Sequence, residues 1–296
     1  MLGVVENQRP RSIESRFEIK YLISEAQAAA MVVYLRPFMR LDRHARSHER
    51  GAYPIVSLYL DSDNLLLCRQ TMTGEKNRVK LRVRSYTDDL DYPRFFEIKR
   101  RVNRAVIKSR VRVPAWALEK YLQASPGDAP ADRKLEQFLF YMERIKAKPV
   151  IRVRYMRQAF ESLAGDPVRI TFDRDLSMQV TQRAELQMAG EGWRRVTMPG
   201  VILEIKFTGR YPAWLNGMVR RFDLMQRSVA KYVSSVQQAR LLGFCAPVRA
   251  GVAKWTDYCN SSRTSASAER GFLPWTSWYH SSSPSSSVRS SRGSTT

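Results

Sequence analysis

The chain has 296 residues, 44% of them hydrophobic, with 50 Lys and Arg against 28 Asp and Glu, a formal charge of +22. That apolar fraction suffices for a sizeable core, and no stretch approaches the ~18 apolar residues that span a bilayer, so membrane contact is expected to be peripheral. A positive excess of this size costs self-repulsion and signals a polyanionic partner: nucleic acid, a phosphate chain or an anionic membrane.

In chain order, residues 1–13 read as a polar lead without the apolar run of a signal peptide. One domain is expected over 14–246, and 247–296 form a Ser-rich tail, expected to be disordered despite Trp275 and Trp278. Period-two alternation marks strands at 15–22, 53–61, 78–86, 94–102, 105–113, 149–160, 168–178 and 200–208. Between them, Ser24 and Gln27 have capping-box spacing ahead of a helix, and Asp61 or Ser62 can cap "NLLLCRQTM". Pro114 suits the first turn of "PAWALEKYL", and "DRKLEQFLFYMERI" has helical spacing. So does "PAWLNGMVRRFDLMQRSVAKYVSSVQQARLL", which reads as one long helix. Cys68, Cys245 and Cys259 lack C-x-x-C spacing and read as reduced thiols, with a cytoplasmic location expected.

An apolar–Glu–apolar–Lys step recurs as "FEIK" at 17–20 and 96–99 and as "LEIK" at 203–206. Its charged parity continues through Lys80, Arg82 and Arg84, through Lys108 and Arg110, and through Arg152, Arg154 and Arg169. A solvated outer face normally mixes both charge signs with Ser, Thr and Gln, whereas this one is overwhelmingly Lys and Arg. Like charges on neighbouring strands repel unless an anion sits among them. Closing the strands into a barrel with this parity inward makes a cation-lined tunnel, and the apolar parity then packs outward under helices. Arg offers phosphate oxygens a planar fork and Lys a compact point charge. Carboxylates at the same parity are what a divalent cation accompanying phosphates requires.

In order, "RFEIKYLIS", "SLYLDS", "VKLRVRSY", "FFEIKRRV", "KSRVRV", "VIRVRYMRQAF", "RITFDRDL" and "ILEIKF" resemble the eight tunnel strands of the VTC domain. That is the polyphosphate polymerase domain of the vacuolar transporter chaperone complex, also found in bacterial proteins. It belongs to the triphosphate tunnel metalloenzymes of the CYTH-like superfamily. The resemblance implies an α+β fold, an eight-stranded antiparallel β-barrel tunnel with flanking helices. It also implies ATP and polyphosphate as partners, Mn²⁺ or Mg²⁺ as cofactor, and transfer of the ATP γ-phosphoryl group onto a growing chain. By the same resemblance Arg82, Arg84, Lys99 and Lys231 are catalytic. Lys20, Lys80, Lys108, Arg110, Arg152, Arg154, Arg169 and Lys206 bind phosphate, and Glu204, Glu18 and Glu97 hold the metal. A membrane-protein partner is compatible with it.

Two departures bear on turnover. The first strand reads Arg16-x-Glu18-x-Lys20 where CYTH-type enzymes carry Glu-x-Glu-x-Lys, and Ala230-Lys231-Tyr232 stands where Ser-Lys-Tyr is common. The rival readings are a hydrolase of tripolyphosphate or nucleoside triphosphate and a non-catalytic polyphosphate-binding module. No specific nucleic acid is expected, because Phe17, Phe96 and Phe172 fall on the parity opposite the charges, away from bases that would stack. The segment "RHARSHER" reads as a solvated loop. Asp61 and Asp173 read either as aids to the metal or as a helix cap and an arginine partner.

Overall fold

The computed structural model describes residues 16–103, 105–128, 132–163 and 167–244. The lead at 1–13, the tail at 247–296, Cys245, Cys259, Trp275, Trp278 and His280 lie outside the described residues. Each alternating segment forms a strand: β1 (Arg16–Ile23), β3 (Tyr53–Asp61), β4 (Arg78–Ser85), β5 (Arg94–Val102), β6 (Ala105–Val113), β7 (Lys148–Ser162), β8 (Val168–Val180) and β10 (Val201–Thr208). Two short strands were not anticipated, β2 (Met39–Leu41) and β9 (Arg194–Arg195), which extend the pairing of β7 and β8. The helices are α1 (Glu25–Leu35), α2 (Arg43–Arg46), α3 (Leu66–Met72), α4 (Leu118–Leu122), α5 (Arg133–Ile145), α6 (Ala213–Arg221) and α7 (Lys231–Leu241).

The main strands pair antiparallel in the order β1-β10-β8-β7-β3-β4-β5-β6, a sheet curled into a tunnel-like trough with helices against it. Among the described residues no ladder joins β6 back to β1. Charge crosses that seam instead: Lys99 of β5 donates to Glu18 of β1 at 2.9 Å, and Lys108 of β6 lies 3.6 Å from the same carboxylate.

The convex face carries the apolar parity. Leu203, Ile205 and Phe207 pack with Met31 and Leu35 of α1 and with Leu215 and Met218 of α6. Leu81, Val83, Phe96 and Ile98 pack with Phe138 and Leu139 of α5. Each large side chain so buried stabilises the fold by ~1.5–3 kcal/mol relative to exposure. Capping reinforces both helices: Ser24 and Gln27 form the expected capping box on α1, and Asp132 accepts from the amides of Lys134 and Leu135 on α5.

The expected long C-terminal helix is two helices. α6 lies on the convex face, whereas α7 packs its Tyr232, Val233 and Val236 against Tyr59, Val153 and Tyr155 on the concave face. The chain must therefore round the β1 edge between them. It does so as a strap over residues 222–230, after Asp223 turns at a φ of +46°, a left-handed conformation outside the helix. The Arg227 amide donates to the Lys20 carbonyl at 2.9 Å, which lays this strap along β1.

Candidate functional site

Register alone builds one wall of the trough. Across β4, β5 and β6, cross-strand neighbours form three successive rows: Lys80–Lys99–Lys108, Arg82–Glu97–Arg110 and Arg84–Phe95–Arg112. Opposite them, Glu18 pairs with Lys206 and Lys20 with Glu204 on β1 and β10. All of these except Phe95 and Arg112, which lie beyond its rim, line a cavity of about 290 Å³ together with Arg157 of β7 and Lys231 of α7, ten cations and three carboxylates in all.

Each carboxylate gathers several cations. Glu97 accepts from Arg82 Nε at 2.6 Å and lies 3.1 Å from Arg110 and 3.8 Å from Arg84. Glu18 holds Lys99 and Lys108 as described and Lys20 at 3.4 Å. Glu204 pairs with Lys206 and lies 3.8 Å from Lys20. Deeper, Asp173 accepts two bonds of 2.7 Å from Arg157 and lies 2.6 Å from Lys231.

These surroundings fix the charge states. Burial would raise the Glu97 carboxyl, but Arg82, Arg84 and Arg110 override it and hold the group at about 2. Burial and the neighbouring Glu204 push Glu18 up, and Lys99, Lys20 and Lys206 bring it down to about 2. Lys80 makes no ion pair among the described residues. Burial, followed by Lys20, Lys99, Arg82 and Arg78, lowers its ammonium to about 7.

The start of α7 is set from outside the cavity. The Tyr232 hydroxyl donates to Asp61 at 2.7 Å, and Asp61 also accepts from the amides of Leu67 and Cys68, each at 2.9 Å. Asp61 is thus a buried cap on α3 that anchors α7, and it does not line the cavity. The Tyr232 ring stacks on Tyr59 at 4.7 Å, and the Tyr59 hydroxyl accepts from Arg82 at 3.4 Å. Ala230 is the N-cap of α7 and supplies no side-chain bond. Ala230→Ser is therefore expected to stabilise the fold by ~1 kcal/mol, read as a higher denaturant midpoint with unchanged slope; no change would mean that the α7 amides already have partners.

The family profile of the VTC domain matches residues 15–240. The chain belongs to the VTC domain family. Two solved structures are similar in outline. A candidate adenylate cyclase from Bacillus halodurans has a TM-score of 0.43 and 12% identity, over 73% of this chain and 94% of that one. The PH1819 protein of Pyrococcus horikoshii OT3 has a TM-score of 0.39 and 12% identity, over 76% of this chain and 100% of that one. No curated protein matches the chain.

In this VTC domain the structure brings together Lys20, Lys80, Arg82, Arg84, Lys99, Lys108, Arg110, Lys206 and Lys231 with Glu18, Glu97 and Glu204 around one cavity. Three expected phosphate ligands lie elsewhere. Arg152 and Arg154 pair across the sheet with Leu58 and Val56, on the convex parity, so they face away from the cavity. There Arg152 lies 3.4 Å from Glu185, and the two guanidinium groups sit 5.3 and 4.3 Å from the Trp193 ring. These contacts fasten the segment at 183–193 to the outside. Arg169 has the concave parity but turns to Asp42 and the Tyr53 hydroxyl.

Arg157 is the cavity cation that reading the sequence missed. It follows Tyr155 by two residues, and Tyr155 lines the cavity, so counting parity from the aromatic would have found it. Tyr59, Phe95 and Tyr155 also place aromatic rings on the concave face. The segment "RHARSHER" is helical over Arg43–Arg46, capped by Asp42, which accepts from the Ala45 amide at 2.7 Å.

Among the described residues no three His, Cys, Asp or Glu side chains form a metal cage. Glu97 is taken up by three arginines, which argues against its expected role as a metal ligand. Glu18 and Glu204 remain, close enough to share Lys20. Two carboxylates completed by phosphate oxygens suit Mg²⁺ or Mn²⁺, which rarely need an all-protein cage.

Proposed function

We propose that this VTC domain is a polyphosphate polymerase that transfers the ATP γ-phosphoryl group onto a growing polyphosphate chain and releases ADP. The observation that carries the reading is a cavity whose cations outnumber its carboxylates ten to three. A terminal phosphate oxygen of the chain attacks the γ-phosphorus, and the bond to the β–γ bridging oxygen breaks, leaving ADP. Positioning and charge neutralisation dominate such transfers, so no side chain need act as nucleophile. Arg82 and Arg84 present guanidinium forks to non-bridging oxygens, and Lys80, Lys99 and Lys108 hold the neighbouring phosphates as point charges. Lys231, fixed beside Asp173, neutralises charge at the end closed by α7. A divalent ion shared by Glu18, Glu204 and the phosphates would neutralise further charge on the transferred group.

The reading includes a cytoplasmic setting and is compatible with a membrane-protein partner. No helix among the described residues is long and apolar enough to cross a membrane. Incubation with ATP and Mn²⁺ or Mg²⁺ should yield long-chain polyphosphate and ADP in step. Orthophosphate without chain growth would assign a hydrolase instead, and binding without turnover would assign a binding module.

Occupancy should also stabilise the fold, because a polyanion that binds only the folded state relieves the lumen's self-repulsion. Tripolyphosphate at a hundredfold excess over its Kd should raise the Tm by roughly 5–10 °C, well beyond sulfate at equal ionic strength. Equal shifts in a thermal melt would argue against a multidentate phosphate site.

A further inference from the structure

The cation rows do not stop where the cavity does. Arg110 lies at its rim, pairing with Glu97 inside while its guanidinium sits 3.9 Å from the Phe95 ring and donates to the Tyr86 hydroxyl at 2.7 Å. One step further along β6, Arg112 flanks Phe95 and is exposed. Across the same mouth the His44 ring lies parallel to Tyr86 at 5.9 Å, which brings the exposed Arg43 of α2 beside it. Arg110, Arg112 and Arg43 all act electrostatically on the Tyr92 hydroxyl. Neither Arg43 nor Arg112 makes an ion pair among the described residues. Asp88 accepts from the Met188 and Ala189 amides at 2.6 and 2.9 Å.

Two exposed like charges around an aromatic shelf, continuous with a phosphate-sized cation ladder, have no internal purpose. Resting on the phosphate reading of the cavity, we infer that Arg112 and Arg43 form an external track that holds linear polyphosphate beyond the length the cavity accommodates. Guanidinium groups suit this role because their forks meet successive phosphate oxygens with little dehydration cost.

The test is isothermal titration of the full chain with tripolyphosphate and with long-chain polyphosphate at several salt concentrations. Arg43→Ala/Arg112→Ala should weaken long-chain binding by about threefold to tenfold and lower the salt slope by roughly 0.7 per arginine. Tripolyphosphate binding should stay within about twofold. The control Arg133→Ala/Arg144→Ala removes the same charge from exposed positions on α5 and should change neither ligand. Unchanged long-chain affinity, an equal loss for tripolyphosphate, or an equal loss in the control overturns the track. An equal loss for a single-stranded oligonucleotide overturns its assignment to a phosphate chain. Wild-type protein that binds neither phosphate ligand overturns the cavity reading itself, a separate result.

Discussion

Arg82→Ala is expected to cut polyphosphate synthesis by ~10²–10³-fold, the usual cost of removing one preorganised donor from developing phosphate charge. Arg82 sits in the middle row with Nε on Glu97 and Nη1 on the Tyr59 hydroxyl, so its fork is aimed before substrate arrives. Arg82→Lys restores the charge without the fork and should recover tripolyphosphate affinity more fully than rate. Folding should suffer little in either variant, because Glu97 keeps Arg84 and Arg110, and in Arg82→Ala the lumen also loses a repelling cation. Initial rates of ADP release, with product length on gels, decide the matter: undiminished chain growth in Arg82→Ala would remove this residue from the mechanism.

The largest effect on stability is expected at Asp173, which is 2% exposed. Asp173→Asn keeps the shape but leaves Arg157 and Lys231 uncompensated, a loss typically of about 3–5 kcal/mol for a broken buried pair. Tripolyphosphate should restore more stability to this variant than it adds to the wild type, since it supplies the missing negative charge. The pH dependence has a definite sign. Burial would raise the Asp173 carboxyl, but Arg157 and Lys231 hold it down at about 2, against roughly 3.9 for an unperturbed Asp. The stability this provides is therefore fully present above about pH 4 and is lost as pH falls towards 2. Glu97 and Glu18, also held at about 2, add to the same loss. Denaturation measured from pH 7 to pH 2 should show a plateau and then a steep fall, smaller in Asp173→Asn. A uniform decline beginning near pH 6 would mean that other groups control acid stability.

The repeated Glu-x-Lys step was enough to orient three strands, because a one-residue slip in any of them would turn its Glu and its Lys out of the lumen together. It was not enough for β7, which carries arginines on both parities. Arg152 and Arg154 have the spacing of lumen residues, and only the covering segment with Trp193 and Glu185, distant in sequence, shows why they are buried outside. Arg169 was placed on the right parity, but its partner Asp42 lies 127 residues away. The break between α6 and α7 was equally hidden. Apolar spacing runs through both, and the need to cross from one face of the sheet to the other is a property of the assembled trough.

Linear polyphosphate reads the same from either terminus, so the thread itself cannot specify which way it moves. The rows are not alike: strongly hydrated ammonium groups at Lys80, Lys99 and Lys108 give way to weakly hydrated guanidinium groups at Arg82, Arg84 and Arg110. On the proposed reading, a symmetrical polymer in this unsymmetrical bore takes its heading from the wall and from the end at which ATP binds, and exchanging lysine for arginine along the rows should weaken the wall's share.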